Sequence, residues 1–163
     1  MKKVAVLIED GFEESELLLT VDIMRRAEID CRIVSLNNIE VLGKNNIIVQ
    51  SDLRFENTDF FEYDMIIIPS GFTNKESISP ILDYYNQHKK WIGFMGNSIS
   101  LIKTKPILDN ELFSIRENIL LNKGYSTTYA FIYHCLELLG INSEPIKQRM
   151  VYYNAFNEMK VGK

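Results

Sequence analysis

Met65-Ile66-Ile67-Ile68-Pro69-Ser70-Gly71 is the stretch that decides the fold. Four apolar residues in a row, three of them β-branched, show no alternation of apolar and polar. Such a run suits a strand covered on both faces, the situation in parallel sheets flanked by helices. Pro69-Ser70-Gly71 then closes the strand with residues that turn a chain. Upstream, Val4-Ala5-Val6-Leu7-Ile8 carries the same signature in residues 3–8.

Between these two runs, Leu17, Thr20, Val21 and Met24 recur at helical spacing as far as Ala27. Asp10 and Glu13 are placed to form a capping box at its start. Cys31–Leu36 reads as a second strand. Glu40–Leu42 and Ile47–Val49 read as a short pair joined by the hairpin signal Gly43-Lys44-Asn45-Asn46. Downstream, a helix is expected over Ser79–Gln87 with Pro80 in its first turn, a strand over Trp91–Met95 and a short helix over Asn97–Ile102. A strand over Ile119–Asn122 and a helix over Thr127–Leu139, ended by Gly140, complete the series. Strands alternating with helices predict a doubly wound α/β domain with a mostly parallel sheet and helices on both faces. No repeat or linker interrupts it, so one domain is expected over 1–163. Its C-terminal segment 144–163 carries Met150, Tyr152, Tyr153 and Phe156, and is expected to pack on the domain or on a second subunit.

Composition narrows the partners. The net charge is −4 and the largest basic clusters are the pairs Lys2-Lys3, Arg25-Arg26 and Lys89-Lys90. Nothing here would neutralise a run of phosphates, so nucleic acid is not an expected partner. No apolar stretch approaches the length needed to span a bilayer and no leader is evident, so no membrane association and a cytoplasmic location are expected. The two cysteines, Cys31 and Cys135, lie far apart in apolar patterns and suggest neither a disulfide framework nor a metal site. No cofactor is expected.

In a sheet of this kind ligands bind beyond the carboxyl ends of the strands. Four loops leave those ends: Glu9–Glu16, Pro69-Ser70-Gly71, Gly96-Asn97-Ser98 and Gly124-Tyr125-Ser126-Thr127. Three of them set Gly beside hydroxyl or amide residues just ahead of a helix. Backbone N–H groups there attract anions, although the same residues serve equally well as ordinary strand-to-helix turns and caps. Ser70, Gly71, Asn97, Tyr125 and Ser126 are the candidate binding residues for a small molecule or anion.

Val21-Asp22-Ile23-Met24-Arg25-Arg26-Ala27, preceded by Glu13-Glu14-Ser15-Glu16, resembles the first helix of the ThiJ/PfpI superfamily. That superfamily includes the parkinsonism-associated deglycase and chaperone proteins and the Pfp intracellular proteases. Ile66-Ile67-Ile68-Pro69-Ser70-Gly71 resembles its apolar strand ending in Pro-Gly-Gly, and Gly124–Phe131 its last loop and helix. The resemblance covers most of residues 2–140. It implies a flavodoxin-like fold of the class I glutamine amidotransferase-like type and a homodimer. It also carries the family's acidic residue onto Glu16, the cysteine nucleophile onto Gly96, and the backbone donors onto Gly71 and Asn97. The family histidine should fall within Lys103–Asn118, which contains none.

Glycine offers no reactive atom, and it relieves the strain that a nucleophile elbow imposes on any other residue, about 1–3 kcal/mol. Ser98 offers a substitute nucleophile if the elbow is displaced by two residues, but it needs a base. His88 belongs to the polar end of a helix, and His134 reads as core or interface. Glu16 also has a plain explanation, since carboxylates in a first turn suit the helix dipole. Set inside the crevice, its pKa would rise and the protonated acid would donate to a ligand oxygen. Cys31 and Cys135 read as buried hydrophobes, and Phe12, Phe72, Tyr125 and Tyr129 as either crevice rim or core. The leading expectation is a non-catalytic or chemically diverged homodimer that binds a small molecule or partner. The alternative is a hydrolase, glyoxalase or deglycase acting on carbonyl compounds, with Glu16 as acid/base and water or Ser98 as nucleophile.

Overall fold

A computed structural model describes residues 1–102 and 113–150. Its elements in chain order are β1 (Lys3–Ile8), α1 (Glu14–Arg26), β2 (Asp30–Ser35), β3 (Glu40–Leu42), β4 (Ile48–Gln50), β5 (Leu53–Arg54), β6 (Met65–Ile68), α2 (Lys75–Gln87), β7 (Trp91–Met95), β8 (Phe113–Arg116), β9 (Ile119–Asn122), α3 (Thr128–Leu138) and α4 (Glu144–Arg149). One sheet runs in the order β5-β2-β1-β6-β7-β9-β8, and β3-β4 forms a separate antiparallel hairpin. All pairs of the large sheet are parallel except β8 with β9. Order and direction agree with the doubly wound reading.

The uninterrupted apolar runs are explained by two cores, one on each face. Val4, Val6 and Ile8 of β1 with Met65 and Ile67 of β6 join Leu17 and Met24 of α1 and Phe131 and Ile132 of α3. Ala5 and Leu7 of β1 with Ile66 and Ile68 of β6 join Ile78, Leu82 and Tyr85 of α2 on the other face. Gly93 of β7 makes room for α3, because a Cβ there would stand 2.7 Å from Phe131 Cζ.

Several boundaries differ from the sequence reading. α2 begins at Lys75, where the Asn74 side chain accepts from Ser77 N at 3.1 Å, so Pro80 lies in the second turn and not the first. Pro80 is exposed, which leaves the Glu76 carbonyl on the solvent side without its usual helical donor. The expected helix over Asn97–Ile102 is a 3-10 turn over Gly96–Leu101. The capping box is not formed: Asp10 accepts instead from Leu42 N at 2.9 Å, and Glu13 caps α1 through its backbone position alone. β5 and β8 escaped the sequence reading. Of the C-terminal segment, α4 packs Ile146 into the core beside α3; Tyr152, Tyr153 and Phe156 lie outside the described residues, as do 103–112, the first part of the histidine-free stretch.

Candidate functional site

The carboxyl ends of β1, β6 and β7 bring three of the predicted loops together. Glu13 N donates to Ser70 O at 3.0 Å, which ties the start of α1 to the end of β6. Gly71 takes a φ of +98° and lies so close to the β1 loop that a Cβ on it would collide with the Gly11 carbonyl and stand 2.7 Å from Phe12 Cα. The β3-β4 hairpin closes the side, with Gly11 N on Leu42 O at 2.8 Å and Lys44 N on Phe12 O at 2.9 Å. Glu14 holds it there: its carboxylate accepts from Asn45 N at 2.6 Å and Asn45 Nδ2 at 2.8 Å. Burial pushes the Glu14 pKa up, but these bonds outweigh it and hold it below its ordinary value.

Glu16 sits beneath this junction, only 1% exposed. One carboxylate oxygen accepts from Ser70 N at 2.7 Å and the other from Ser70 Oγ at 3.1 Å. Desolvation drives its pKa up; the two bonds from Ser70 oppose that shift without cancelling it. Glu16 is not among the residues facing the cleft. Ser70 stands between it and any ligand, so the direct donation expected from sequence gives way to contact through Ser70.

Gly96 follows β7 with a φ of +52°, in the left-handed region that glycine accepts and other residues resist. A Cβ on Gly96 would overlap Ser70 Oγ and lie 3.6 Å from Glu16 Oε1. The serine hydroxyl therefore fills the volume that a side chain on Gly96 would need. Asn97 turns its carboxamide onto the neighbouring loop, where its Oδ1 accepts from Gly71 N at 2.9 Å. An oxygen acceptor already occupies that backbone donor, and it belongs to the protein itself.

Ser98 is withdrawn from the site. Fully buried, its Oγ donates to Ile68 O or Met95 O, each at 2.8 Å, and accepts from Met95 N at 3.0 Å. It ties β6 to the turn after β7 and has no approach from solvent. Tyr125 is exposed and reaches the cleft, whereas Ser126 is exposed but does not line it. Phe12 and Phe72 are core residues, although Phe72 also edges the adjoining hollow. His134 is not core: its ring is half exposed and faces Glu137 at 3.5 Å on the surface of α3. His88 caps the exposed end of α2, stacked on Tyr84. Cys31, with its thiol pushed up to about 12 by burial, and Cys135 are buried in the core away from the crevice.

Above Ser70 opens a cleft of about 470 Å³ lined by Gly11, Glu13, Lys44, Gly71, Gly96, Asn97, Lys123 and Tyr125 as well as Ser70. A hollow of about 420 Å³ continues from it past Asn97 toward Thr73 and Ile99. Lys44 and Lys123 were not singled out in the sequence. Lys44 is weakly engaged by Glu13 at 3.9 Å and stays mostly exposed. Glu9 was also missed: at the end of β1 it accepts from Thr73 Oγ1 at 2.8 Å, from Thr73 N, and from Asn74 N at 3.2 Å, fixing the start of α2. Its only sequence signal is a carboxylate directly after a buried strand. Among the described residues no group of His, Cys, Asp and Glu is arranged to hold a metal, and no helix is long and apolar enough to cross a membrane.

Sheet order, twin cores and a crevice at the strand ends define a flavodoxin-like domain of the class I glutamine amidotransferase-like type. The chain belongs to the DJ-1/PfpI family, whose profile matches residues 2–96. It is similar to a DJ-1 homolog B of Arabidopsis thaliana, with 27% identity over 54% of this chain and 20% of that protein. It is also similar to a deglycase of Thermococcus kodakarensis, with 30% identity over 42% of each chain. The matched stretches thus span less than half the length of these relatives. Among solved structures, a cysteine-to-alanine mutant of a DJ-1 superfamily protein from Salmonella typhimurium superposes with a TM-score of 0.81 at 21% identity, covering 94% of this chain and 98% of that one. Oxidized DJ-1 of Toxoplasma gondii superposes with a TM-score of 0.84 at 17% identity, covering 93% and 98%.

Proposed function

We propose that this protein is a chemically diverged DJ-1/PfpI member, a single-domain cytoplasmic homodimer that binds a small anionic molecule in the crevice above Ser70. The observation that carries the reading is the open cleft of about 470 Å³ with Lys44 and Lys123 on its walls. Its size suits a metabolite-scale ligand. Gly96 marks the place where the family's cysteine would stand, and neither cysteine of this chain is near it. Two unpaired thiols suit a reducing compartment. Deglycase chemistry, the activity in the name of the Thermococcus relative, finds no support in Ser98, which is sealed beneath the turn.

The dimer reading rests on exposed apolar side chains around the hairpin. Leu42, Ile47 and Ile48 are exposed there, and Leu18 is exposed one helical turn beyond Glu14, the residue that anchors the hairpin. Isothermal calorimetry with small mono- and dicarboxylates tests the ligand reading. Saturable binding to one site per chain, weakened by Lys44→Glu, is expected. No heat across the series, or binding indifferent to Lys44→Glu, would discard it.

A further inference from the structure

We propose that Ser70 is itself a nucleophile, able to accept acyl groups from small activated esters while Glu16 takes its proton. The inference rests on the placement of the family's cysteine at Gly96, but not on an anionic ligand. Two differences from the family pattern are complementary. The resemblance sets Pro69-Ser70-Gly71 where the family's strand ends in Pro-Gly-Gly, and Gly96 at the place of its cysteine. The structure brings these positions into one volume, since a Cβ on Gly96 would overlap Ser70 Oγ. A hydroxyl projecting from the end of β6 has replaced a side chain projecting from the end of β7. It also meets the same acid, with Ser70 Oγ 3.1 Å from Glu16 Oε1. Nucleophile and carboxylate within hydrogen-bond reach is the arrangement that activates a weak nucleophile. Unlike Ser98, Ser70 lines the open cleft.

The step balances within the protein. The Ser70 hydroxyl proton passes to Glu16 as the Oγ–acyl carbon bond forms and the ester C–O bond breaks. The leaving group departs into the cleft as a stable anion, and Glu16 then loses its proton to solvent. Water from the cleft then attacks the acyl carbon as its bond to Ser70 Oγ breaks; one proton of that water ends on Oγ, restoring the hydroxyl, and the carboxylic acid is released. A purely structural serine, present only to satisfy the buried carboxylate, would share the geometry but not the reactivity.

p-Nitrophenyl acetate separates the two and has no carboxylate, so failure of anion binding leaves the result intact. A burst of one p-nitrophenolate per chain is expected, with the acetyl group mapped to the Ser70 peptide by mass spectrometry. The burst should vanish in Ser70→Ala and slow about a hundredfold in Glu16→Gln, the scale of general-base assistance. Ser70→Cys supplies a second readout: its new thiol should react with iodoacetamide in the folded protein while buried Cys31 and Cys135 stay unmodified. Absence of a burst, acetylation confined to Lys44, Lys123 or Tyr125, or an inert Ser70→Cys thiol would overturn the proposal.

Discussion

Ser70 Oγ lies 3.1 Å from Glu16 Oε1, in the space that a side chain on Gly96 would occupy. One hydroxyl thus fills a void and satisfies a buried carboxylate together. Because either change at Ser70 or Gly96 alters the same volume, the two positions must be energetically coupled.

Gly96→Ala should destabilise the fold by about 1–3 kcal/mol from backbone strain at positive φ, with a further penalty from the clash with Ser70 Oγ. In Ser70→Gly the clash disappears, so the double variant should lose less than the sum of the single variants. A double-mutant cycle from urea denaturation reads this coupling; strict additivity would show that the hydroxyl does not occupy that space.

Glu16 has a pKa above its ordinary value, with desolvation as the main cause, Glu13 adding to the rise and Lys44 and Ser70 opposing it. A carboxyl whose pKa is raised on folding binds its proton more tightly in the native state. Its contribution is therefore fully present below the ordinary carboxylate pKa and is lost as pH rises through the raised value. Glu16→Gln cannot titrate. Wild type should gain stability relative to Glu16→Gln as pH is lowered from neutral toward that range, with melting temperatures of both proteins as the measure. Parallel curves would rule out a shifted Glu16.

Asn97 Oδ1 already holds the Gly71 N–H at 2.9 Å. Removing this internal competitor with Asn97→Ala should free a donor at the cleft floor and tighten carboxylate binding by roughly tenfold, the worth of one hydrogen bond to a charged group. Calorimetry on the variant checks it, and unchanged or weaker affinity would show that Asn97 is not competing with ligand.

If the hairpin and α1 form the contact between subunits, Leu18→Glu or Ile48→Glu should convert the dimer to monomer, because each puts a charge into a desolvated surface. Light scattering coupled to gel filtration measures the mass. A wild type that runs as monomer removes the dimer reading directly.

The sheet was legible because β1 and β6 are buried on both faces, which forces uninterrupted apolar runs such as Val4–Ile8 and Met65–Ile68. β5 and β8 were not: β5 has two residues and β8 lies at the sheet edge, so neither carries such a run. Around the crevice, the loops and Glu16 could be placed from order and resemblance alone. The role of Ser70 could not, since it arises from an overlap between residues separated by a helix and a strand in sequence. Lys44 escaped for a related reason. Only the docking of the hairpin on the β1 loop brings it to the cleft, and a lone lysine in a turn ordinarily signals nothing but solvent.

The tight approach of Gly71 to Gly11 and Phe12 has a consequence for how this crevice can change. There the two loops meet main chain against main chain, with no room for a methyl group. No side chain can be added at Gly71, whichever molecule the protein favours, whereas one at Gly11 would meet open space and be resisted only by its positive φ. Selectivity is most readily adjusted from the rim, at positions such as Lys44, Asn97 and Tyr125, while Gly71 stays as it is. A library aimed at new ligands should diversify the rim and leave Gly71 fixed, since a larger residue there would pry the loops apart before it touched a ligand.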